Sequence, residues 1–281
     1  MNTIEKQRLH HLLDEEDYAS LQKTVQRQYG FNLDVFIYSF LRRAVSSFMA
    51  YWGMPEARKL EAFLQKEEGN WATFITHLVP APTELFRDFE SWQYLRSELH
   101  DRAPGGGPKM RIWINGCSTG EVLASVLVLL HEQGLMDQVE IKATDLHPRI
   151  LKQSQKMRFP KSKWSPSLKN YQLMGSSTSL PAGLVEEDQY FTILPELLEP
   201  VKFTPMLPHQ LPEGPFDWII CQNVLIYYKM EVYRRACRNM KEALKPNGLL
   251  VMGSGEKLPF ELVGMGMKPA LEPNSLYRKT S

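Results

Sequence analysis

Residues 111–145 constrain the fold more than any other stretch, because they read as a strand, a tight turn, a helix and a second strand. The apolar residues at 112–114 are typical of a buried parallel strand, which shows a continuous apolar run. Gly116 and Gly120 allow the backbone of the turn to approach a ligand closely. The second strand ends on Asp145. This order predicts a doubly wound α/β sheet that binds a ligand at the carboxyl ends of its strands.

The end of the second strand indicates which ligand this turn suits. An acid there can accept hydrogen bonds from the ribose hydroxyls of an adenosine group. The turn does not match the G-x-G-x-x-G pattern that binds pyrophosphate, and Glu121 at the helix start disfavours a phosphate. S-adenosylmethionine carries an ammonium, a sulfonium and no phosphate. The pattern therefore favours S-adenosylmethionine as cofactor; the alternative is an ordinary strand–helix–strand unit with an incidental aspartate.

The composition is that of an ordinary water-soluble chain. The sequence has 281 residues, 43% of them hydrophobic, and a net charge of +1. Because no global positive field exists, no nucleic-acid partner is expected. The polar start does not resemble a signal peptide, and no apolar run is long enough to cross a membrane. Three cysteines without metal-ligand spacing fit a reducing compartment. We therefore expect a cytoplasmic protein without a metal site or membrane insertion.

The first third predicts a small all-helical domain over residues 1–79. Apolar residues recur at helical spacing in four successive stretches, and no strand pattern appears before residue 109. Prolines at 80 and 82 and a Gly-rich stretch at 104–108 punctuate the chain. Residues 80–108 are therefore predicted to be a linker, with a helix over 83–99.

Residues 109–281 predict the α/β domain. Further buried strands are expected at 216–221 and 249–253, separated by a helix over 230–244. Polar residues follow the first of these strands, where they would face the ligand crevice. The last part, 267–278, predicts a hairpin at the sheet edge.

Two neighbouring stretches of this domain differ from the rest in composition. Residues 171–200 are rich in Ser, Gly and Pro with short apolar pieces, and predict an inserted antiparallel β-subdomain. The stretch 149–170 contains bases and no acid, and predicts a docking face for an acidic partner, with Lys161 and Lys163 as candidates; an ordinary solvated surface is the alternative. Its bases are Arg149, Lys152, Lys156, Arg158, Lys161, Lys163 and Lys169.

Three motifs follow one another along the chain. They are Thr83-x-x-Phe86-Arg87, Gly116-Cys117-Ser118-Thr119-Gly120-Glu121 and Cys221-Gln222-Asn223-Val224-Leu225-Ile226-Tyr227. Together they resemble the chemotaxis receptor methyltransferases, the CheR family. The resemblance implies a Rossmann-like methyltransferase sheet behind a helical N-terminal domain. It also implies methyl transfer from S-adenosylmethionine to glutamate side chains on cytoplasmic helices of chemoreceptors, in chemosensory adaptation, with S-adenosylhomocysteine as product.

The resemblance implies a set of cofactor-binding residues. Thr83 and Asn115 would contact the methionine end of S-adenosylmethionine. Glu121 would accept a hydrogen bond from its ammonium, and Asp145 would hold the ribose hydroxyls. Asn223 would lie beside the cofactor.

The resemblance also implies residues for methyl transfer and for docking. Arg87 would contact the methionine end of the cofactor and orient the substrate carboxylate. Tyr227 would lie beside the reacting methyl group. Arg42 and Arg43 fall on the helix that the family uses against the acidic surface of the receptor. A monomer is expected.

Several positions depart from the family's usual pattern. The family usually has Asn where this chain has Ala81, and Arg where it has Gln222. The residues after Glu121 also differ. These departures keep open a branch that acts in a type IV pilus or other non-flagellar chemosensory system, and a signalling scaffold that binds the cofactor or the receptor with weak or lost activity. A methyltransferase with a small molecule or RNA as substrate is a separate alternative, and the helical N-terminal domain and the low net charge count against RNA.

Overall fold

The computed structural model describes residues 13–78, 84–100, 108–176, 178, 180–271 and 276–280. The chain divides into two compact units: the smaller comprises the described residues up to 78 together with Tyr227–Val232, and the larger contains the remainder. The predicted domain bounds stay predictions. Two parts of the predicted linker, 80–83 (with Ala81 and Thr83) and 101–107, lie outside the described residues.

The smaller unit is helical, as the sequence predicts. Its α-helices are α1 (Glu15–Tyr29), α2 (Tyr38–Tyr51), α3 (Ala57–Lys66) and α4 (Glu68–Leu78). The Asp14 carboxylate accepts a hydrogen bond from the Asp17 N–H and caps α1, and Gly30 ends that helix in the left-handed conformation. Phe48 of α2 is fully buried, and its ring packs edge-on against Phe74 of α4. Apolar faces at helical spacing thus form this small core.

A short segment from late in the sequence, Tyr227–Val232, completes the helical unit. The N–H of Ile37 donates to the carbonyl of Tyr227, and the N–H of Lys229 donates to the carbonyl of Val35, both over 2.9 Å. The Tyr227 ring lies 4.6 Å from that of Phe40, measured between centroids. These long-range contacts were not predicted from the sequence.

The larger unit contains strands and helices in alternation. Its strands are β1 (Met110–Asn115), β2 (Val139–Asp145), β3 (Arg158–Pro160), β4 (Leu184–Glu186), β5 (Tyr190–Ile193), β6 (Val201–Pro205), β7 (Phe216–Cys221), β8 (Leu244–Met252), β9 (Met267–Leu271) and β10 (Leu276–Lys279). Its α-helices are α5 (Phe89–His100), α6 (Glu121–Glu132), α7 (Pro148–Ser154), α8 (Trp164–Leu173), α9 (Met230–Ala243) and α10 (Phe260–Val263), of which α9 has its first three residues in the smaller unit. Among the described helices, none has the length and apolar character needed to span a bilayer.

The main sheet has the order β6-β2-β1-β7-β8-β10-β9. Strands β6, β2, β1, β7 and β8 run parallel, and β10 pairs antiparallel with both β8 and β9. The strand order changes direction at β1, which lies between β2 and β7. An open α/β sheet binds its ligand at such a switch point. The predicted doubly wound α/β fold is confirmed, including the hairpin at the edge.

Helices cover both faces of this sheet. Ile112 and Ile114 of β1 pack in a cluster with buried residues of α5 and α6. Trp113, between them, packs in a second cluster with residues of α9 and α10. Because successive side chains of a strand point to opposite faces, the apolar run at 112–114 serves both layers.

A separate small sheet has the order β3-β5-β4, with antiparallel pairing throughout. It corresponds to the predicted inserted β-subdomain, but its first strand precedes the predicted bound at residue 171. Charge pairs cross this sheet: Lys161 lies 2.7 Å from Glu186, and Arg158 lies 3.0 Å from Glu187. The basic stretch contains no acid of its own, and these two acids come from β4 and the residue after it.

One predicted helix begins later than the sequence indicates. Helix α5 starts at Phe89, whereas a start at 83 was expected. Phe86 and Asp88 have positive φ angles of 55° and 57°, which a helix cannot contain. Arg87 therefore lies in an irregular segment before the helix. The expectation was wrong because apolar spacing was extended across this turn.

Candidate active site

The turn after β1 packs against the loop after β7. Gly116 has φ of +87°, and a Cβ built on it would lie 2.3 Å from Cγ2 of Val224. A side chain at this position is thus excluded twice, by the backbone conformation and by space. The glycine lets the two loops meet at the switch point of the sheet, where the sequence predicts the ligand crevice.

Asp145 ends β2 and faces this turn. Its Oδ2 accepts a hydrogen bond from the Ser118 N–H and its Oδ1 from the Leu146 N–H, each over 2.8 Å. Burial raises the pKa of the Asp145 carboxyl from 3.8 to about 6, and the two backbone donors oppose this rise. Each carboxylate oxygen has a further lone pair. The site thus keeps acceptor capacity for hydroxyl groups, as the predicted ribose contact requires.

Glu121 is the first residue of α6 and is buried. The Thr119 hydroxyl donates a hydrogen bond to its Oε2. An acid at a helix N-terminus is stabilised by the unpaired N–H groups there. The arrangement holds a negative charge beside the 116–120 turn, where it can attract an ammonium group.

The segment that carries Arg87 is fixed by bonds to two helices. The Leu85 N–H donates to Oγ of Ser167 on α8 over 3.0 Å, and the Phe86 N–H donates to Oγ of Ser125 on α6 over 2.9 Å. The Arg87 side chain itself is 45% exposed, and its Nε lies 3.6 Å from Glu84. A backbone held by two helices thus presents a guanidinium whose ion pair with Glu84, on the same segment, is long.

The loop after β8 carries Glu256, which holds the residues after β7 in place. The Glu256 carboxylate accepts hydrogen bonds from the N–H groups of residues 223–226. Asn223 has φ of +57°, and a Cβ built on Gly253 would lie 2.7 Å from its Oδ1. The loops after β7 and β8 are therefore in direct contact at the carboxyl edge.

Asn115 is committed to a neighbouring loop. Its Nδ2 donates to the carbonyl of Pro208 over 3.0 Å, and the side chain is 1% exposed. This bond connects the end of β1 with the loop after β6. The predicted contact between Asn115 and the cofactor stays a prediction. The amide oxygen of Asn115 is the atom that would make it.

Gln222, directly after β7, carries a buried amide. The residue is 8% exposed, and neither Oε1 nor Nε2 has a hydrogen-bond partner among the described residues. An unpaired buried amide is costly, so a polar ligand at this position would offset that cost. Together with the acceptors on Asp145 and Glu121, this amide fits a nucleoside cofactor with an amino-acid tail.

The larger unit thus brings several predicted residues to one edge of its sheet: Arg87, Asn115, Glu121, Asp145 and Asn223. Tyr227 belongs to the helical unit, as do Arg42 and Arg43 of α2, of which Arg43 is exposed and Arg42 is half-buried. Thr83 and the side chain of Lys163 lie outside the described residues. The roles of all these residues stay predictions.

Part of the basic stretch adjoins the turn after β1. A Cβ built on Gly120 would lie 3.0 Å from Sδ of Met157 and 3.3 Å from the carbonyl of Ser154. Lys152, two residues before Ser154, and Lys156, directly before Met157, are exposed. Lys161, by contrast, is paired with Glu186 of the small sheet.

Residues 81–266 match the profile of a known family, described as "CheR methyltransferase, SAM binding domain". The matched range is more than half of the chain. The chain belongs to the CheR methyltransferase family. It is an S-adenosylmethionine-dependent methyltransferase, and S-adenosylmethionine is its cofactor. The predicted family and cofactor are confirmed.

Relatives of this CheR-family chain match it over most of its length. A chemotaxis protein methyltransferase of Listeria innocua is 25% identical over 247 residues, which cover 87% of this chain and 91% of the relative. One of Escherichia coli K12 is 28% identical over 201 residues, covering 68% and 66%. A Pseudomonas putida protein named Cher3 is 24% identical over 271 residues, covering 92% and 95%.

Solved structures are similar at a lower level. The CMeT domain of the citrinin polyketide synthase is 16% identical, covers 75% of this chain and 47% of its own, and has a TM-score of 0.39. A likeness of this strength carries no argument. The fold of this CheR-family chain is established instead by its strand order.

Two residues of the site were missed in the sequence. Glu256 follows the apolar strand β8 within a short Gly-rich turn, and Asp88 follows Arg87 directly. An acid just after a buried strand is a usable signal, because strand ends converge at one edge in a parallel sheet. The signal was applied to β2 and β7 but not to β8.

Proposed function

We propose that this methyltransferase transfers the methyl group of S-adenosylmethionine to glutamate side chains of chemoreceptors, forming methyl esters in chemosensory adaptation. Several of its relatives are named chemotaxis protein methyltransferases. The proposed partners are the cytoplasmic helices of chemoreceptors, and the proposed location is therefore the cytoplasm.

The observation that carries this proposal is the placement of Arg87. Its guanidinium is partly exposed on a backbone fixed by Ser125 and Ser167, in the unit that contains the cofactor-binding sheet. A guanidinium can hold a carboxylate through two parallel hydrogen bonds. An acidic acceptor group suits this site better than an amine or a neutral hydroxyl.

The chemistry requires positioning and no general base. The cofactor supplies a methyl group on a sulfonium, and the S–C bond breaks as a C–O bond forms to the glutamate oxygen. The side chain of glutamate is ionised at neutral pH, so its oxygen is nucleophilic without proton removal. Arg87 would hold the carboxylate with a lone pair directed at the methyl carbon. Correct placement is then the main source of rate acceleration.

Each remaining candidate has a binding or orienting role in this proposal. Glu121 would accept from the ammonium of the cofactor, and Asp145 from the ribose hydroxyls. Asn223 would contact the cofactor from the loop after β7. The Tyr227 hydroxyl would orient the reacting groups without competing as a nucleophile, since a phenol is protonated at neutral pH.

Charge complementarity would guide the substrate. Methyl-accepting segments rich in glutamate are acidic, and a positive surface raises the rate of their association. Lys152 and Lys156 are exposed, as is Arg43 on the helical unit, and these cations are proposed for this role. Lys161 would contribute less, because Glu186 already neutralises it.

The decisive experiment uses labelled S-adenosylmethionine and purified cytoplasmic fragments of a chemoreceptor. Alkali-labile label on the fragment would demonstrate glutamate methyl esters. Matched fragments with Gln at the methylation sites should take up no label. Cofactor binding without any transfer would favour the signalling-scaffold alternative, and alkali-stable label would indicate a different acceptor group.

A further inference from the structure

A buried carboxylate joins two loops at the carboxyl edge of the main sheet. Oε1 of Glu256 accepts from the N–H groups of residues 224–226, over 2.6 to 3.3 Å. Its Oε2 accepts from the N–H of Asn223 over 2.7 Å and from that of Gly253 over 2.9 Å. Five backbone donors from two separate loops therefore converge on one side chain.

The loop after β7 explains why an anion is needed there. Past the end of the strand, the N–H groups of residues 223–226 point to a common position, and buried N–H groups require partners. Successive N–H groups in such a turn form a concave site for an anion. Glu256 is 1% exposed, and burial raises the pKa of its carboxyl while the backbone donors act to lower it. These N–H groups thus donate to the Glu256 carboxylate, whereas N–H groups in a strand or helix donate to backbone carbonyls.

The loops that Glu256 joins both lead to proposed site residues. Asn223 is held with φ of +57°, and its Oδ1 lies 2.7 Å from the position that a Cβ on Gly253 would take. Next to Gly253, the Ser254 N–H donates to Oδ2 of Asp88 over 3.0 Å, directly beside Arg87 in sequence. A shift of the Glu256 carboxylate would therefore disturb Asn223 and the Arg87 segment together.

We propose that Glu256 is a positioning residue for methyl transfer, which holds Asn223 for the cofactor and, through the 253–254 turn, sets the Arg87 segment. The expected effect of Glu256 on methyl transfer rests on the proposed function. Its expected effect on the binding of S-adenosylmethionine does not, because it requires only that the chain binds this cofactor. A reaction that depends on placement loses rate when its binding groups shift by a fraction of an ångström. Glu256 acts through these groups and contacts neither reactant.

The test replaces Glu256 with glutamine, which keeps the shape of the side chain. The amide nitrogen cannot accept, so one of the two acceptor positions is lost. We expect S-adenosylmethionine to bind about tenfold more weakly, as for the loss of the hydrogen bond that is proposed between Asn223 and the cofactor. We expect kcat on receptor fragments to fall about a hundredfold, because both loops move, with little change in the KM for the fragment. Hydrogen exchange should show lost protection at the amides of residues 223–226, with β7 and β8 still protected.

Asp217→Asn is the matched control. Asp217 is a partly buried acid near the start of β7, at the opposite edge of the sheet, and its Oδ2 accepts from the Arg111 N–H over 2.8 Å and from the Lys245 ammonium over 2.7 Å. This variant should lower the melting temperature without changing kcat or the Kd for S-adenosylmethionine. All assays are run well below the melting temperature of the less stable of the two variants, Glu256→Gln and Asp217→Asn.

The outcomes separate positioning from general stability. The proposal is overturned if Glu256→Gln lowers the melting temperature but leaves the Kd and kcat as in the wild type, or if Asp217→Asn changes them equally. Glu256→Asp keeps the charge and should regain part of kcat; it also serves as the test variant if Glu256→Gln does not fold. If the wild type methylates no receptor fragment, the proposed function fails, and the cofactor Kd with the exchange data still decide the role of Glu256.

Discussion

The backbone N–H of Ser254 donates a hydrogen bond to Oδ2 of Asp88 over 3.0 Å. This bond joins the turn after β8 to the segment before α5, which lie far apart in the sequence. Asp88 has a left-handed backbone conformation, with φ of +57°, which few residue types adopt readily. Because Arg87 directly precedes Asp88, the bond limits the directions in which the guanidinium can point.

Asp88→Ala should lower turnover more than cofactor binding. The variant removes the acceptor for the Ser254 N–H and adds strain at a positive φ angle, so the Arg87 segment should loosen. We expect kcat to fall about tenfold, as for a lost hydrogen bond, with the Kd for S-adenosylmethionine nearly unchanged by calorimetry. Asp88→Asn is the control, because its amide oxygen still accepts and asparagine tolerates this conformation. Equal losses in both variants would contradict a role for this bond.

Arg87→Ala should abolish methyl transfer while leaving most of the cofactor affinity. The guanidinium is proposed to orient the substrate carboxylate, so its loss acts mainly in the transition state. Arg87→Lys should recover little, because an ammonium cannot make the two parallel hydrogen bonds. Single-turnover rates and calorimetric Kd values measure the two effects separately. Similar losses in both quantities would show that Arg87 binds the cofactor and does not orient the substrate.

Much of the fold follows from local patterns in the sequence. The apolar run at 112–114, the glycines of the turn and the acid at the end of β2 lie within one strand–helix–strand unit, so their spacing fixes their relation. The caps of α1 are equally local, since Asp14 and Gly30 contact residues three or four positions away. Such features could be predicted because chain connectivity alone brings their residues together.

Other features depend on contacts between distant residues. The start of α5 was misplaced because bonds from Ser125 and Ser167 hold residues 85 and 86 outside a helix. Likewise, Lys161 was expected to be available for docking, but the fold places Glu186 beside it. Spacing within a sequence carries no information about which strands and helices will become neighbours. A run of charged residues therefore predicts a docking surface less well than a turn motif predicts a fold.

Binding of S-adenosylmethionine should weaken as the pH falls from 7 to 5. Burial raises the pKa of Asp145 to about 6 in the folded chain, so the carboxylate becomes protonated in this range. Protonation removes an acceptor for the ribose hydroxyls, and affinity is therefore present above this pKa and lost below it. In Asp145→Asn the affinity should be low and nearly independent of pH. Calorimetric titrations across this range measure both curves.

The same carboxyl should affect stability in the opposite sense in the absence of cofactor. Its folded pKa of about 6 exceeds the ordinary value of 3.8, so the folded chain binds the extra proton between these values. The free energy of unfolding contributed by Asp145 therefore falls as the pH rises through this window. Burial lowers the pKa of the neighbouring His147, whose contribution to stability therefore rises with pH. His147→Asn is thus the control: it removes this opposing contribution and should leave the fall that is attributed to Asp145 in place.

Gly116→Ala should destabilise the protein more than a glycine substitution in open space. The new Cβ would lie 2.3 Å from Val224 at a φ angle of +87°. Gly134→Ala provides a matched control, because Gly134 has φ of +66° with nothing within 4 Å of its built Cβ. The control should lose about 1 kcal/mol of unfolding free energy from backbone strain alone. Denaturant titrations should show a larger loss for Gly116→Ala, partly restored by adding Val224→Ala, and the absence of any difference would contradict the close packing of these loops.

Charge reversal at Lys152 and Lys156 should slow methylation of receptor fragments and reduce its dependence on salt. Both side chains are exposed, and they flank Ser154 and Met157, which contact Gly120, so their positive charge should attract a glutamate-rich helix. The double variant with Glu should lower kcat/KM with an unchanged Kd for S-adenosylmethionine. Reversal of Lys109 and Lys268, which are also exposed, changes the net charge equally but lies at the start of β1 and on β9. A general change of net charge would slow both double variants alike. A local docking interaction therefore requires that reversal of Lys152 and Lys156 lowers kcat/KM clearly more than reversal of Lys109 and Lys268.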